Sequence, residues 1–253
     1  MGIHYVFRRY SQPNMMIEIA NSEIHIWTQS TDISSHQAML LSSILSVEEE
    51  SRAQQFHHIP AKQRFMMSRY YLRQIAALYL NKPPHAIKIA YSSHKKPFLC
   101  EENTDIQFNL SHSDQQIVFA FVQHHAVGID IEKIKPIHCD KIVTRFFSQT
   151  EIADFIALPL DKKIAAFYCL WTRKEALLKA MGTGLHYPLD AFSVRPAPLH
   201  EAIYLANASW ELIPLESDPG YTCSLATTLT AKKISYWTLT NNVPVLKKVY
   251  SMT

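Results

Sequence analysis

Hydrophobic and polar positions alternate along EIHIWTQ at residues 23–29, and that period of two predicts a strand. SVEEESRAQQF at 46–56 opens on Ser46 followed by acids, the signature of a helix start. RFMMSRYYLRQIAALYL at 64–80 carries the longer helical period, and Asn81 with the Pro83-Pro84 pair stops it. IKIAYS, IQFNLSHS and QQIVFAFVQ then read as strands, broken by KKPF and by polar turns. The theme returns in the second half. VGIDIE at 127–132 predicts a strand, DKIVTRFFSQTEIADFIAL at 140–158 one helical stretch, and KKIAAFYCLWTRKEALLKAMG a long helix ending at Gly182. FSVRP, SWELIPL, TCSLATT and ISYWTLT read as further strands. The expected fold is therefore α/β (α+β), two halves of similar content joined near His124-His125, with a site at the seam between them.

One stretch breaks the pattern. In AVGIDIEKIKP, Val127, Ile129 and Ile131 share one face of a strand, so Asp130 and Glu132 share the other. Two carboxylates held that close repel unless a cation, a proton or a solvated edge relieves them. On the long helix that follows, Trp171, Glu175 and Lys179 recur every four residues and form one stripe. Read alone, Glu175 and Lys179 are an ordinary i,i+4 ion pair worth a few tenths of a kcal/mol, and the strand acids are a solvated edge. If helix and strand pack together, Glu175 becomes a third carboxylate, and the set makes half of an octahedral shell for Mg²⁺ beside a phosphorylated substrate.

Composition narrows the field only a little. With 253 residues, 47% hydrophobic and 19% charged, the chain can bury a sizeable core and is not of a disordered class. A net charge of +3 favours anions but falls short of a nucleic-acid-binding tail, so no nucleic-acid partner is expected. No run approaches the roughly 18 apolar residues of a membrane span, and the start lacks a signal-peptide core, so a cytoplasmic protein is expected. Met1-Gly2 invites acylation, but Val6 stands where that motif needs Ser or Thr. Cys100, Cys139, Cys169 and Cys223 are too scattered for a zinc or disulfide framework and are expected as reduced, mostly buried thiols. No heptad seam argues against a monomer.

NLSHSD places Ser111 and His112 at a strand end, where they donate to a phosphate or cap a turn; no nucleophile elbow surrounds Ser111. Lys95, Lys96, Arg64, Arg69 and Arg73 add cations, each commonly an ordinary surface charge. Gly182-Thr183-Gly184 follows a helix instead of opening one, so it is a C-cap and turn. A metal-dependent nuclease would use similar acids, but no basic and aromatic groove for nucleic acid is traceable.

Taken as a set, KKP, FNLSHS, VGIDIEKIKPI, RFFSQTE and FYCLWTRKEALLKAMGTGL, in that order between about Ser46 and Pro196, resemble the Sfp-type 4'-phosphopantetheinyl transferases. The resemblance implies a pseudo-twofold monomer of two similar subdomains, residues 1–124 and 125–253, each a small sheet packed with a long helix, and coenzyme A bound between them. It implies transfer of the phosphopantetheine arm to a serine of an apo acyl or peptidyl carrier protein, releasing adenosine 3',5'-bisphosphate; the rival is a catalytically silent module that binds coenzyme A or a carrier. By resemblance Asp130, Glu132 and Glu175 hold Mg²⁺, with Mn²⁺ as a substitute ion. Ser111, His112, Lys96 and Arg64 match positions at the 3'-phosphate and adenine end, Lys179 matches a lysine beside the pyrophosphate, and Arg52 falls near a family lysine of the phosphate site on the first helix. The chemistry of the transfer makes Glu175 the expected base, directly or through a metal-bound water. Glu49 departs from the pattern, standing where the best-known relative has a second basic residue. The segment from Lys133 to Ser148, with Lys133, Lys135, Lys141 and Arg145, matches the carrier-facing surface, and its charge suits an acidic carrier helix.

Overall fold

The computed structural model describes residues 16–32, 35–102, 104–197 and 199–252; Gly2 and Val6 lie outside them. A five-stranded sheet has the order β11-β10-β1-β5-β4 and a four-stranded sheet the order β6-β9-β8-β7. The strands of the first are β1 (Glu23–Ser30), β4 (Ile106–Ser113), β5 (Gln116–Gln123), β10 (Lys233–Thr240) and β11 (Val243–Ser251). Those of the second are β6 (Val127–Lys133), β7 (Glu201–Leu205), β8 (Ala208–Leu215) and β9 (Tyr221–Thr227). A small hairpin pairs β2 (Ile89–Tyr91) with β3 (Pro97–Leu99).

The two halves repeat one plan. In the first, β1 runs antiparallel to β5 and β5 to β4; in the second, β6 runs antiparallel to β9 and β9 to β8. Each half inserts a short helix and then a 22-residue helix after its first strand: α2 (Val47–Gln54) and α3 (Ile59–Leu80), then α5 (Gln149–Ile156) and α6 (Leu160–Met181). Two more helices, α1 (Ser35–Ile44) and α4 (Cys139–Phe146), precede these pairs. Alternation then builds three cores. Trp27, Phe119 and Phe121 pack under α3, Leu212 and Ala226 under α6, and Ile24, Ile26 and Val118 meet Ile129, Ile131 and Leu225 between the sheets. The order of layers is helix, sheet, sheet, helix.

The repeat extends to single contacts. Ser46 caps α2 and Ser148 caps α5, each in a capping box with the acid three residues on. Those acids are buried and reach the following long helix: Glu49 Oε2 accepts from Arg73 Nε at 2.7 Å, and Glu151 Oε2 lies 2.8 Å from Lys174 Nζ. Each pair bolts a short helix to a long one, so Glu49 serves the fold.

Three expectations need correction. FSVRP at 192–196 is not a strand: side chains satisfy its backbone, with Val194 N–H donating to Glu151 Oε1 at 2.8 Å and Phe192 C=O accepting from Lys174 Nζ at 2.7 Å. The helical stretch 140–158 is two helices, because the Ser148 capping box restarts the chain after Phe147. KKPF is not only a break, since Pro97 and Phe98 open β3. β10 and β11 lie late in the sequence, yet β10 pairs in parallel with β1, so residues 233–251 extend the first sheet. Among the described residues no helix is long and apolar enough to cross a membrane. All four cysteines are free; Cys139, Cys169 and Cys223 are buried and Cys100 is exposed.

Candidate active site

Strand β6 turns Asp130 and Glu132 toward α6, and the approach of the two elements decides what they meet. Gly128 makes it close: a Cβ there would stand 2.1 Å from Ala176 O and 2.3 Å from Ala180 N. With only hydrogen at that point the helix lies directly on the strand. Glu175 and Lys179, one turn apart, then reach the strand acids. Asp130, Glu132, Glu175, Lys179, Trp171, Ser111 and His112 line one open cleft of about 320 Å³.

Lys179 Nζ donates to Asp130 Oδ1 at 2.6 Å, to Ser111 Oγ at 3.0 Å and to Ile129 O at 3.3 Å. Asp130 is 4% exposed and its Oδ2 is buried with no hydrogen-bond partner among the described residues, an arrangement that folded proteins rarely leave unanswered. Burial pushes the Glu175 carboxyl above the usual range; Lys179 opposes the rise, and the charges on Asp130 and Glu132 add to it. Glu132 is also raised, by burial first, with Ser113 opposing and Asp130 adding. Among the described residues no group of three or more acidic, His or Cys side chains is placed to hold a metal ion. The three carboxylates nevertheless share the cleft, and side chains that repel each other, one with an orphaned buried oxygen, have the chemistry that suits a hard divalent cation.

A track of positive charge leads out of the cleft. His112 is exposed along one edge, and its pKa is lowered by desolvation and then by the charges of Arg64, Lys179 and Arg69. Arg69, which the sequence pattern treats as one more surface cation, is 7% exposed, and its Nε and Nη1 are buried without hydrogen-bond partners among the described residues. Its guanidinium lies over Phe65 at 5.4 Å and Tyr91 at 5.5 Å, and Arg52 lies over the same rings at 5.2 and 5.9 Å. Two guanidiniums sharing two rings, one with unused donors, have the chemistry to receive an anion. A sequence signal existed: Arg69 follows Phe65 by four residues and so sits on the buried stripe of α3.

Lys96 stands apart from this track. Its ammonium donates to Val127 O at 3.1 Å and Ala180 O at 3.2 Å, joining the β2–β3 hairpin to the end of α6, and burial lowers its pKa to about 8. On the segment from Lys133 to Ser148, Lys133 and Lys135 both pair with Asp114, while Lys141 and Arg145 are exposed on α4 beside the exposed Phe146. A larger cavity, about 570 Å³, opens on the other face of β6 against Ile131 and Cys223. Its acids Glu216 and Asp218 are taken by Lys248, Tyr250 and Gln116, and none of the expected site residues lines it.

Comparison with known proteins points the same way. Residues 126–226 match the 4'-phosphopantetheinyl transferase superfamily, and residues 29–124 match the N-terminal region of 4'-phosphopantetheinyl transferases. The chain is 31% identical to the 4'-phosphopantetheinyl transferase HetI of Nostoc over 217 residues, covering 85% of this chain and 90% of that one. It is 34% identical to the 4'-phosphopantetheinyl transferase Sfp of Bacillus subtilis, covering 71% and 80%. With gsp of Aneurinibacillus migulanus, another 4'-phosphopantetheinyl transferase, the identity is 31% and the shares are 76% and 80%. The cleft at the β6–α6 contact and these similarities place the chain in one family: it belongs to the 4'-phosphopantetheinyl transferases.

Proposed function

We propose that this chain transfers the 4'-phosphopantetheine arm of coenzyme A to a serine hydroxyl of an apo acyl or peptidyl carrier protein, releasing adenosine 3',5'-bisphosphate. The observation that carries this reading is the convergence of three carboxylates and Lys179 on one cleft, with Asp130 Oδ2 unpartnered. A module that merely binds has no use for that repulsion. Asp130, Glu132 and Glu175 would hold Mg²⁺, or Mn²⁺ in its place, and the ion when bound supplies positive charge to the pyrophosphate.

The chain's own residues divide the remaining work. Lys179 binds the pyrophosphate oxygens, and His112, Arg64, Arg69 and Arg52 bind the 3'-phosphate and adenosine end. Glu175 accepts no hydrogen bond from a described residue, so it is free to take the proton of the incoming serine hydroxyl, and its raised pKa suits that task. The serine oxygen bonds to the β-phosphorus, the bond to the bridging oxygen breaks, and adenosine 3',5'-bisphosphate departs. Lys141, Arg145 and Phe146 face the carrier. The chain acts as a monomer in this reading, and four free thiols suit a cytoplasmic setting. We place the subdomain division at residues 124 and 125, with 233–251 returning to the first sheet.

Intact-mass measurement of an apo acyl carrier protein, incubated with this chain, coenzyme A and Mg²⁺, tests the reading. One added phosphopantetheine, absent when EDTA is present, is the expected result; no gain on acyl and peptidyl carriers alike would remove it. Arg69→Ala should raise the KM for coenzyme A by roughly tenfold or more, the worth of one charge-assisted hydrogen bond, with a smaller change in kcat. Initial rates against coenzyme A concentration check this, and an unchanged KM would exclude Arg69 from the anion site.

A further inference from the structure

Strand β4 sets three polar side chains against β6 at alternate positions. Asn109 Oδ1 accepts from the Ile129 N–H at 2.9 Å, Ser111 Oγ donates to Asp130 Oδ1 at 2.8 Å, and Ser113 Oγ donates to Glu132 Oε2 at 2.7 Å. The two serines are arranged alike. A hydroxyl has one proton and two lone pairs. Ser111 accepts from Lys179 Nζ, and Ser113 accepts from the Lys133 N–H at 3.1 Å. With the accepting side of each hydroxyl fixed by a donor, its only proton is aimed at a carboxylate. Each β6 acid is thus held by one oxygen and leaves the other unengaged: among the described residues Asp130 Oδ2, a buried atom, has no hydrogen-bond partner, and Glu132 Oε1 takes no hydrogen bond.

We propose that Ser113 is a positioning residue that holds Glu132 by Oε2 so that Oε1 faces the cation site with Asp130 Oδ2 and Glu175. This rests on the assignment of those carboxylates as cation ligands. Ser111 is tied to Lys179 and so to the phosphate side, whereas among the described residues the Ser113 hydroxyl binds only a backbone amide and the carboxylate it orients. Groups that orient a ligand from behind are worth roughly tenfold or more in metal affinity. The role is to fix an orientation that Glu132, a long side chain at the open end of the strand, would otherwise lose to rotamer freedom.

Titration of Mn²⁺ into the intact protein with coenzyme A present, followed by calorimetry and by the manganese electron-spin signal, reads this directly. Ser113→Ala should weaken Mn²⁺ binding about tenfold, and Ser113→Thr, which keeps the hydroxyl on a strand-compatible residue, should recover most of the loss. Asn109→Ala is the control, since it loosens the same strand contact without touching a carboxylate; its melting point should fall while Mn²⁺ affinity stays within about twofold. Wild-type affinity in Ser113→Ala, with binding lost in Glu132→Ala, would overturn the positioning role alone, as would an equal loss in Asn109→Ala. Failure of the wild-type chain to take up Mn²⁺, or full affinity in Glu132→Ala, would overturn the ligand assignment and this proposal with it.

Discussion

Glu175→Ala should lower turnover by roughly a thousandfold or more while the protein melts at or slightly above the wild-type temperature. General-base removal alone is worth about 10²–10⁴ in rate, and this carboxyl is also assigned to the cation. The stability half of the prediction follows from the electrostatics. Burial and two neighbouring carboxylates raise the Glu175 pKa, so its charged form is held in the fold against a cost that only Lys179 opposes. Removing it relieves that cost, as is common where a site is built for function at the expense of stability. The paired measurement is a mass-detected time course of carrier loading beside a thermal melt. Near-wild-type loading would strip Glu175 of both roles; a collapse of the melt would make it structural.

The opening puzzle of two acids inside a strand was legible because alternation is a local rule, and Gly128, Asp130 and Glu132 obey it whatever the rest of the chain does. The helix stripe of Glu175 and Lys179 was legible for the same reason. Long-range pairing was not. Nothing in ISYWTLT says that its partner is β1, some two hundred residues earlier, and VPVLKKVYS, the edge strand β11, carries Lys247 and Lys248 that blur its period. FSVRP has strand composition, yet Glu151 and Lys174 satisfy its backbone before any neighbouring strand can. Side-chain commitments were equally hidden. Lys96 spends its charge on two carbonyls and Arg69 is buried with two donor nitrogens unpartnered among the described residues, though both are surface charges to a pattern that counts residue types; Glu49, read as a helix-start acid out of place in the family pattern, is a helix bolt.

The duplicated bolts explain why the chain builds one such site and not two. If Glu49 is matched with Glu151, Arg73 with Lys174 and the left-handed Asn81 with Gly182, Gln74 takes the place of Glu175 and Leu78 that of Lys179. Gln74 and Leu78 are buried. In the first half, β10 lies beside β1 and Trp237 stacks on Trp27 at 5.5 Å. Neutral residues and an added strand fill one copy, while the other stays open along β4 and keeps its acids. The open copy depends on β4, a strand of the first sheet, for Ser111 and Ser113. Neither half makes the site alone.

Gly128→Ala should cost about 3 kcal/mol, the upper end for overpacking, and so lower the melting temperature by roughly 6–12 °C for a chain of this size. The methyl group would meet Ala176 O and the amide of Ala180, both backbone, so no side chain can swing aside. Either β6 or α6 must move by about an ångström to restore an ordinary contact. That shift separates Glu175 and Lys179 from Asp130, and a displacement of such size costs on the order of 10² in rate. The two losses should therefore appear together, in the melt and in carrier loading at a temperature where the variant is still folded. Replacement of Gly220, whose added Cβ meets nothing, should leave loading intact although its φ of 83° strains a side chain. A Gly128→Ala protein that melts lower but loads its carrier at the wild-type rate would mean that the distance between strand and helix does not set the chemistry.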